Sequence, residues 1–94
     1  MPDLWTEELT PSPDVLHQEL GGETVLLNLA NEQYFGLDAV GTRVWQLLVE
    51  TRRAPDVMAR LQQEFEVTPE RLQADLSTLL SELVDAGLLR VGAG

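Results

Sequence analysis

From Val15 to Leu20 the side chains alternate, Val15 and His17 to one side and Leu16, Gln18 and Leu20 to the other, which is the period-two pattern of a half-buried strand. Gly21-Gly22 follows, and two glycines supply the positive φ angles of a two-residue hairpin turn. Thr24-Val25-Leu26-Leu27-Asn28-Leu29 reads as a second strand, β-branched at its start and apolar enough to be central. After a turn at Ala30-Asn31-Glu32 comes a short third strand, Gln33-Tyr34-Phe35-Gly36-Leu37, which the order of the hairpins leaves at an edge of the sheet.

The apolar spacing then becomes helical. Asp38 is placed to accept hydrogen bonds from the first free amides of a helix, and Val40, Val44, Trp45, Leu47 and Leu48 recur along one face, with Trp45 read as core. Gly41, one turn in, costs about 1 kcal/mol relative to alanine, so the expectation is that it permits close approach to the sheet. A loop at 50–53 leads to Pro55, suited to the first turn of a second helix that carries Val57, Met58, Leu61 and Phe65 on one face and ends at Glu66-Val67. Thr68-Pro69-Glu70 is the clearest helix start in the chain, combining a hydroxyl cap, a first-position proline and an acid at the positive end of the helix dipole. Leu72, Leu76, Leu79, Leu80, Leu83 and Val84 form a broad apolar face, Gly87 stops the helix in a left-handed cap, and Leu88-Leu89 returns to the core. Three short strands followed by three helices predict an α+β domain, winged helix-turn-helix-like, with a three-stranded antiparallel sheet.

A chain of 94 residues supports one core. The expected organisation is a flexible, proline- and acid-rich N-terminal arm over 1–13, a folded domain over 14–91 and a C-terminal tail over 92–94. Trp5 is the conspicuous residue of the arm, able to pack loosely on its own domain or to touch a partner. No apolar run approaches the roughly 20 residues of a membrane span, and the N-terminus lacks the basic start and apolar stretch of a secretion signal. With no cysteine, the expected location is cytoplasmic.

The net charge of −10 bears most directly on partners. It opposes nucleic acid and anionic membrane surfaces, and the basic residues, all arginine, are too scattered to form a stripe. The charge fits a basic or neutral partner met through apolar contacts, or simply keeps the protein dissolved. Helices two and three have a helix-turn-helix look. The last helix, however, sets Glu70, Asp75, Glu82 and Asp85 against Arg71 alone, whereas a recognition helix needs cations and amides. A phosphate-cradling glycine loop and clustered metal-ligand spacings are both lacking, His17 is the sole histidine, and Glu7-Glu8 and Glu64/Glu66 read as solvated surface. The expectation is a non-enzyme without cofactor or metal.

What remains is a binding surface. The edge strand Gln33-Tyr34-Phe35-Gly36 carries none of the charge, proline or bulge that normally blunts an edge, so an extended peptide can add there as a further strand. Four or five backbone hydrogen bonds at a net ~0.5–1.5 kcal/mol each match only the lower part of the ~4–15 kcal/mol cost of association. Two or three buried apolar anchors at ~1.5–3 kcal/mol each are therefore required, and the leucine-rich last helix is the element to line their pockets. Tyr34 and Phe35 point to opposite faces, so one of them packs inward.

Tyr34-Phe35-Gly36-Leu37, then Gly41, Trp45-Gln46-Leu47-Leu48, Asp75-Leu76, Leu79-Leu80, Leu83 and Gly87-Leu88-Leu89 form an ordered set. In this order the set resembles the PqqD-like family, the peptide-recognition elements of pathways to ribosomally made, post-translationally modified peptides, over about Val15 to Leu89. It looks most like the stand-alone members of lasso-peptide pathways. The Cys-Asp-Gly turn associated with the pyrroloquinoline quinone members is replaced by Val49-Glu50-Thr51-Arg52-Arg53. The resemblance implies a leader-peptide carrier: the leader pairs with the third strand, lies in a groove against the third helix and is delivered to a maturation enzyme such as a leader peptidase. Carried over residue by residue, the strand contributes Gln33, Tyr34, Phe35 and Gly36, and the helix contributes Asp75, Leu76, Leu79, Leu80 and Leu83. Asp75 either meets a polar or basic leader residue or is a solvated helix acid. The competing functions are a winged-helix transcriptional regulator and a protein–protein adaptor that dimerises through the same edge; the expected state is a monomer or weak dimer.

Overall fold

Gly21 and Gly22 adopt φ of 61° and 85° in the computed structural model, which describes residues 3–92, and the reversal joins β2 (Val15–Leu20) to β3 (Glu23–Asn28). The pairing is antiparallel, with Leu20 opposite Glu23 and Val15 opposite Asn28. The next turn is tightened by side chains: Asn28 Oδ1 accepts from the Ala30 amide at 3.0 Å, and Asn31 Oδ1 accepts from the Gln33 amide at 3.0 Å. β4 (Gln33–Leu37) then runs back along β3, placing Phe35 opposite Leu26 and Gly36 opposite Val25, so the sheet order is β2-β3-β4. Central β3 shows the alternation of a sheet covered on one face, with Thr24, Leu26 and Asn28 buried and Glu23 and Val25 exposed.

Three helices follow, α1 (Ala39–Thr51), α2 (Ala54–Glu64) and α3 (Pro69–Asp85); α1 packs on the sheet, and α2 packs on α1 and α3. Their starts follow the local chemistry. Asp38 Oδ1 accepts from the Gly41 amide at 2.8 Å, Thr68 Oγ1 accepts from the Arg71 amide at 3.4 Å, and Pro55 and Pro69 sit in first turns. A Cβ at Gly41 would lie 3.2 Å from Leu37 Cδ2 and 3.3 Å from Asp38 Oδ1, so glycine lets α1 leave the end of β4 tightly. Leu26, Leu37, Val44, Trp45, Leu47, Leu48, Val57, Leu61 and the inner leucines of α3 form one core. α2 ends at Glu64, and Phe65, expected on its buried face, is the extended cap residue, 39% exposed.

The expected flexible arm is corrected over its second half. Leu9–Pro11 is a strand, β1, paired antiparallel with β5 (Leu89–Val91) at the other end of the chain. Leu9 is fully buried, and its amide donates to the Arg52 carbonyl at 2.8 Å. Trp5 packs on its own domain, with Nε1 donating to Ser77 Oγ of α3 at 3.0 Å. A three-residue strand has no visible period, and its partner lies beyond all three helices, so nothing local announced the pairing. Of the expected arm and tail, residues 1–2 and 93–94 lie outside the described residues. Among the described residues no helix is long and apolar enough to cross a membrane.

Asn28 ties the two ends of the fold together. Its Nδ2 donates to the carbonyls of Ala86 (3.1 Å) and Gly87 (3.3 Å) at the close of α3, while its side chain is buried at the end of β3. Gly87 has φ of 74°, and a Cβ there would meet Asn28 Nδ2 at 2.9 Å. Asn28→Ala leaves the part-buried Ala30 amide without its acceptor and removes the bonds to the end of α3, and is expected to lower unfolding free energy by about 2 kcal/mol, read from urea denaturation.

α1 and α2 are joined at the surface by Arg43, whose Nε and Nη2 donate to the two Glu64 carboxylate oxygens at 2.7 and 2.8 Å. The hydrogen bonding from Arg43 holds the Glu64 carboxyl below the ordinary carboxylate range. A lowered folded-state value means the contribution is complete at neutral pH and is lost as pH falls through it. Glu64→Gln should therefore melt slightly below the parent at neutral pH, and the gap should close as pH falls through the lowered Glu64 pKa; parallel thermal melts from neutral to acid pH measure this.

Candidate functional site

β4 pairs with β3 along one edge, and among the described residues no strand lies against the other. Beside that open edge is a cleft of about 570 Å³. One wall is the C-terminal half of β4, contributing Phe35, Gly36 and Leu37; the first turns of α1 add Asp38, Val40, Gly41 and Val44. Leu61 of α2 is at its base, and Leu72, Asp75, Leu76, Leu79 and Glu82 of α3 form the opposite wall. The lining is therefore apolar, with three carboxylates and no cation.

The sequence-predicted residues divide into three groups. Phe35, Gly36, Asp75, Leu76 and Leu79 meet at the cleft. Gln33 and Tyr34 stand on the same edge but outside the cleft; Tyr34 is 74% exposed on the outer face, while Phe35 is half-buried against the core, which decides the direction of the two aromatics. Leu80 and Leu83 are fully buried in the core and do not line the cleft. α3 thus carries two overlapping stripes: Leu80 and Leu83 face inward, Asp75, Leu79 and Glu82 turn toward β4, and Leu72 and Leu76, both buried, belong to the core and line the cleft as well.

Sequence reasoning missed Leu72 and Glu82 on α3 and Leu37, Val40 and Val44 at the β4–α1 junction. The signal for the first pair was present, since residues 72, 75, 79 and 82 share one helical stripe. The junction residues required knowing that the start of α1 and the flank of α3 line the same cleft.

The acids differ in availability. Asp38 Oδ1 is engaged in the α1 cap. Asp75 meets Arg71 only at 3.8 Å, one turn away on the helix surface, with both side chains largely exposed. Such a contact contributes little and competes weakly with an incoming donor. Among the described residues no three His, Cys, Asp or Glu side chains come together as a metal site would need.

The family model for coenzyme PQQ synthesis protein D (PqqD) matches residues 23–89, which include β3, β4 and all three helices. The chain belongs to the PqqD family. Among solved structures, this PqqD-family chain is similar to TbiB1 in complex with the TbiA(beta) leader peptide, at 35% identity and a TM-score of 0.83, over 90% of this chain and 99% of that one. It is also similar in fold to a lasso peptide synthetase B1 complexed with the leader peptide, at 23% identity and a TM-score of 0.79, over 88% of this chain and 98% of that one. No curated protein sequence matches.

The two stripes of α3 separate stability from surface chemistry. Leu76 is 2% exposed, whereas Leu79 is half-buried. Leu76→Asp is expected to cost about 4 kcal/mol, much of the roughly 5–14 kcal/mol available to a chain of this size. Leu79→Asp should cost about 1 kcal/mol and stay folded. Circular dichroism melts of the two variants make the comparison.

Proposed function

We propose that this PqqD-family domain binds the leader segment of a ribosomally synthesised precursor peptide and presents it to a maturation enzyme, a leader peptidase of lasso-peptide type. The observation that carries the reading is the continuity of an unblunted strand edge with an apolar, acid-rimmed cleft. A peptide adding antiparallel or parallel to β4 takes its backbone hydrogen bonds from Gln33, Tyr34, Phe35 and Gly36, and its alternate side chains enter the cleft beside Phe35. Leu79, together with the exposed parts of Leu72, Leu76 and Val40, covers the anchors. Two anchors at ~1.5–3 kcal/mol each, added to the backbone bonds, give micromolar or tighter binding. Asp75 and Glu82, exposed on the rim with no cation among the lining residues, favour a leader with a polar or basic residue near its anchors.

The likeness to TbiB1, solved with a leader peptide, supports this reading. The role is presentation rather than catalysis, and the setting is the cytoplasm, where a ribosomal precursor is made. Without a leader the same open edge admits a second copy, so the free protein is a monomer or weak dimer. Duplex DNA is disfavoured because Glu70, Asp75, Glu82 and Asp85 are all exposed on α3.

The test is titration of isotope-labelled protein with the TbiA(beta) leader peptide, which the 35%-identical relative holds. Amide shifts are expected to concentrate on β4 and on the Leu72–Glu82 stripe; shifts scattered over the surface would sink the reading. Leu79→Asp, losing one anchor of ~1.5–3 kcal/mol, should weaken binding about 10- to 100-fold in a fluorescence titration.

A further inference from the structure

The two walls of the cleft are held in different ways. β4 is fixed along its length by the ladder to β3 and at its end by the cap that starts α1. α3 packs on α2 and β5, and Asn28 bonds it to the sheet just past its last turn, beyond Glu82. At the level of Asp75 and Leu79 the helix is met from behind, where Trp5 Nε1 donates to Ser77 Oγ at 3.0 Å. Ser77 is two residues from each of them, about 200° around a helix of 3.6 residues per turn. Trp5 therefore stands on the flank of α3 that faces away from the cleft.

The N-terminal arm is built to hold the indole there. Asp3 closes a turn around it: its Oδ1 accepts from the Trp5 amide at 2.9 Å, and its carbonyl accepts from the Thr6 and Glu7 amides at 3.2 and 3.1 Å. Arg53 Nη1, from the start of α2, donates to the Thr6 carbonyl at 3.2 Å. The Leu9 amide donates to the Arg52 carbonyl, and β1 is paired with β5. Leu4 and Trp5 are half-buried against the core. A terminal segment stays ordered only where it is tied down, and this one is tied from Asp3 to Pro11. A large, rigid ring with a single polar tip suits the position, since the ring fills space and the N–H fixes its direction.

Resting on the leader-binding reading above, we infer that Trp5 is a positioning residue for the leader: it backs α3 at Ser77 and so sets the width of the cleft, without touching the peptide. A peptide lodged between β4 and α3 presses the helix away from the sheet, and Trp5 is what the helix meets. The effect on affinity follows from the steepness of dispersion, a radial gap of about 0.5–1 Å forfeiting a quarter to a half of each contact. Retreat of α3 by that distance loosens Leu79 and the exposed parts of Leu72 and Leu76 from every anchor at once. The arm, whose composition reads as flexible, is thereby part of the binding device.

The test is the affinity of the full chain for a fluorescently labelled TbiA(beta) leader peptide, read by anisotropy well below the melting temperature of each variant, with circular dichroism confirming the fold. Trp5→Ala should weaken binding about 10-fold, chiefly through faster dissociation. Trp5→Phe, which keeps a ring and loses the hydrogen bond, and Ser77→Ala should each weaken it about 3-fold. Glu64→Gln, which loosens the α1–α2 tie away from the cleft, should bind as the parent does. A purely structural Trp5 would lower the melting temperature and leave these affinities unchanged. In isotope-labelled parent the Trp5 indole N–H signal should move with the same midpoint as the β4 amides when the leader is added. If the parent binds the leader while Trp5→Ala, Trp5→Phe and Ser77→Ala bind equally well, the positioning role is overturned and the leader reading stands. Should Trp5→Ala fail to fold, the other two variants decide. If the parent itself does not bind, both readings fall.

Discussion

A β-strand has two hydrogen-bonding edges, and β4 uses one. The organisation of the domain turns on that asymmetry. β3 occupies the inner edge along the whole of β4, and among the described residues the outer edge faces the gap to α3 rather than another strand. What keeps the gap open is the division of α3 into stripes: Leu72, Leu76, Leu80 and Leu83 bind the helix to the core, while Asp75, Leu79 and Glu82 are left at its flank. A helix pulled closer would bury Leu79 and close the edge. The short pull of Asp38 and Gly41, which start α1 directly at the end of β4, fixes the third side.

Rigidity of this frame comes from contacts remote from the cleft. Asn28 joins the end of β3 to the end of α3, so the strand that holds β4 and the helix that faces it are hydrogen-bonded to each other at one end. On the back of α3, Trp5 donates to Ser77, and β1 with β5 closes the lower edge of the core. At the surface, Glu19 of β2 accepts from Gln46, Gln46 accepts from Arg43, and Arg43 holds Glu64, linking sheet, α1 and α2. An edge strand that recognises a partner through backbone geometry benefits from such bracing, because less ordering remains for binding to supply.

Electrostatics and shape divide the remaining work. A chain with net charge −10 and no cation among the residues lining its cleft attracts basic segments and repels phosphates, which narrows the class of partner without identifying it. On the proposed reading, the apolar lining and the register of β4 supply the selectivity, as each added residue is directed either to the cleft or away from it.

Elements with a local chemical signature were legible in the chain. The Gly21-Gly22 turn, the Asp38 and Thr68 caps, the first-turn prolines and the left-handed Gly87 each act within a few residues, and the strand and helix periods between them follow from side-chain direction alone. β4 as an edge was also legible, since hairpin order determines it. The tertiary structure alone decided which leucines of α3 serve the core and which the cleft, because an apolar stripe wider than one contact surface does not say which neighbour it meets. It alone paired β1 with β5, buried Leu9, turned Phe35 inward and Tyr34 outward, and made Asn28 a tie between β3 and α3. Those outcomes depend on residues distant in the chain coming together, and a linear pattern records the periodicity of a surface but not what packs against it.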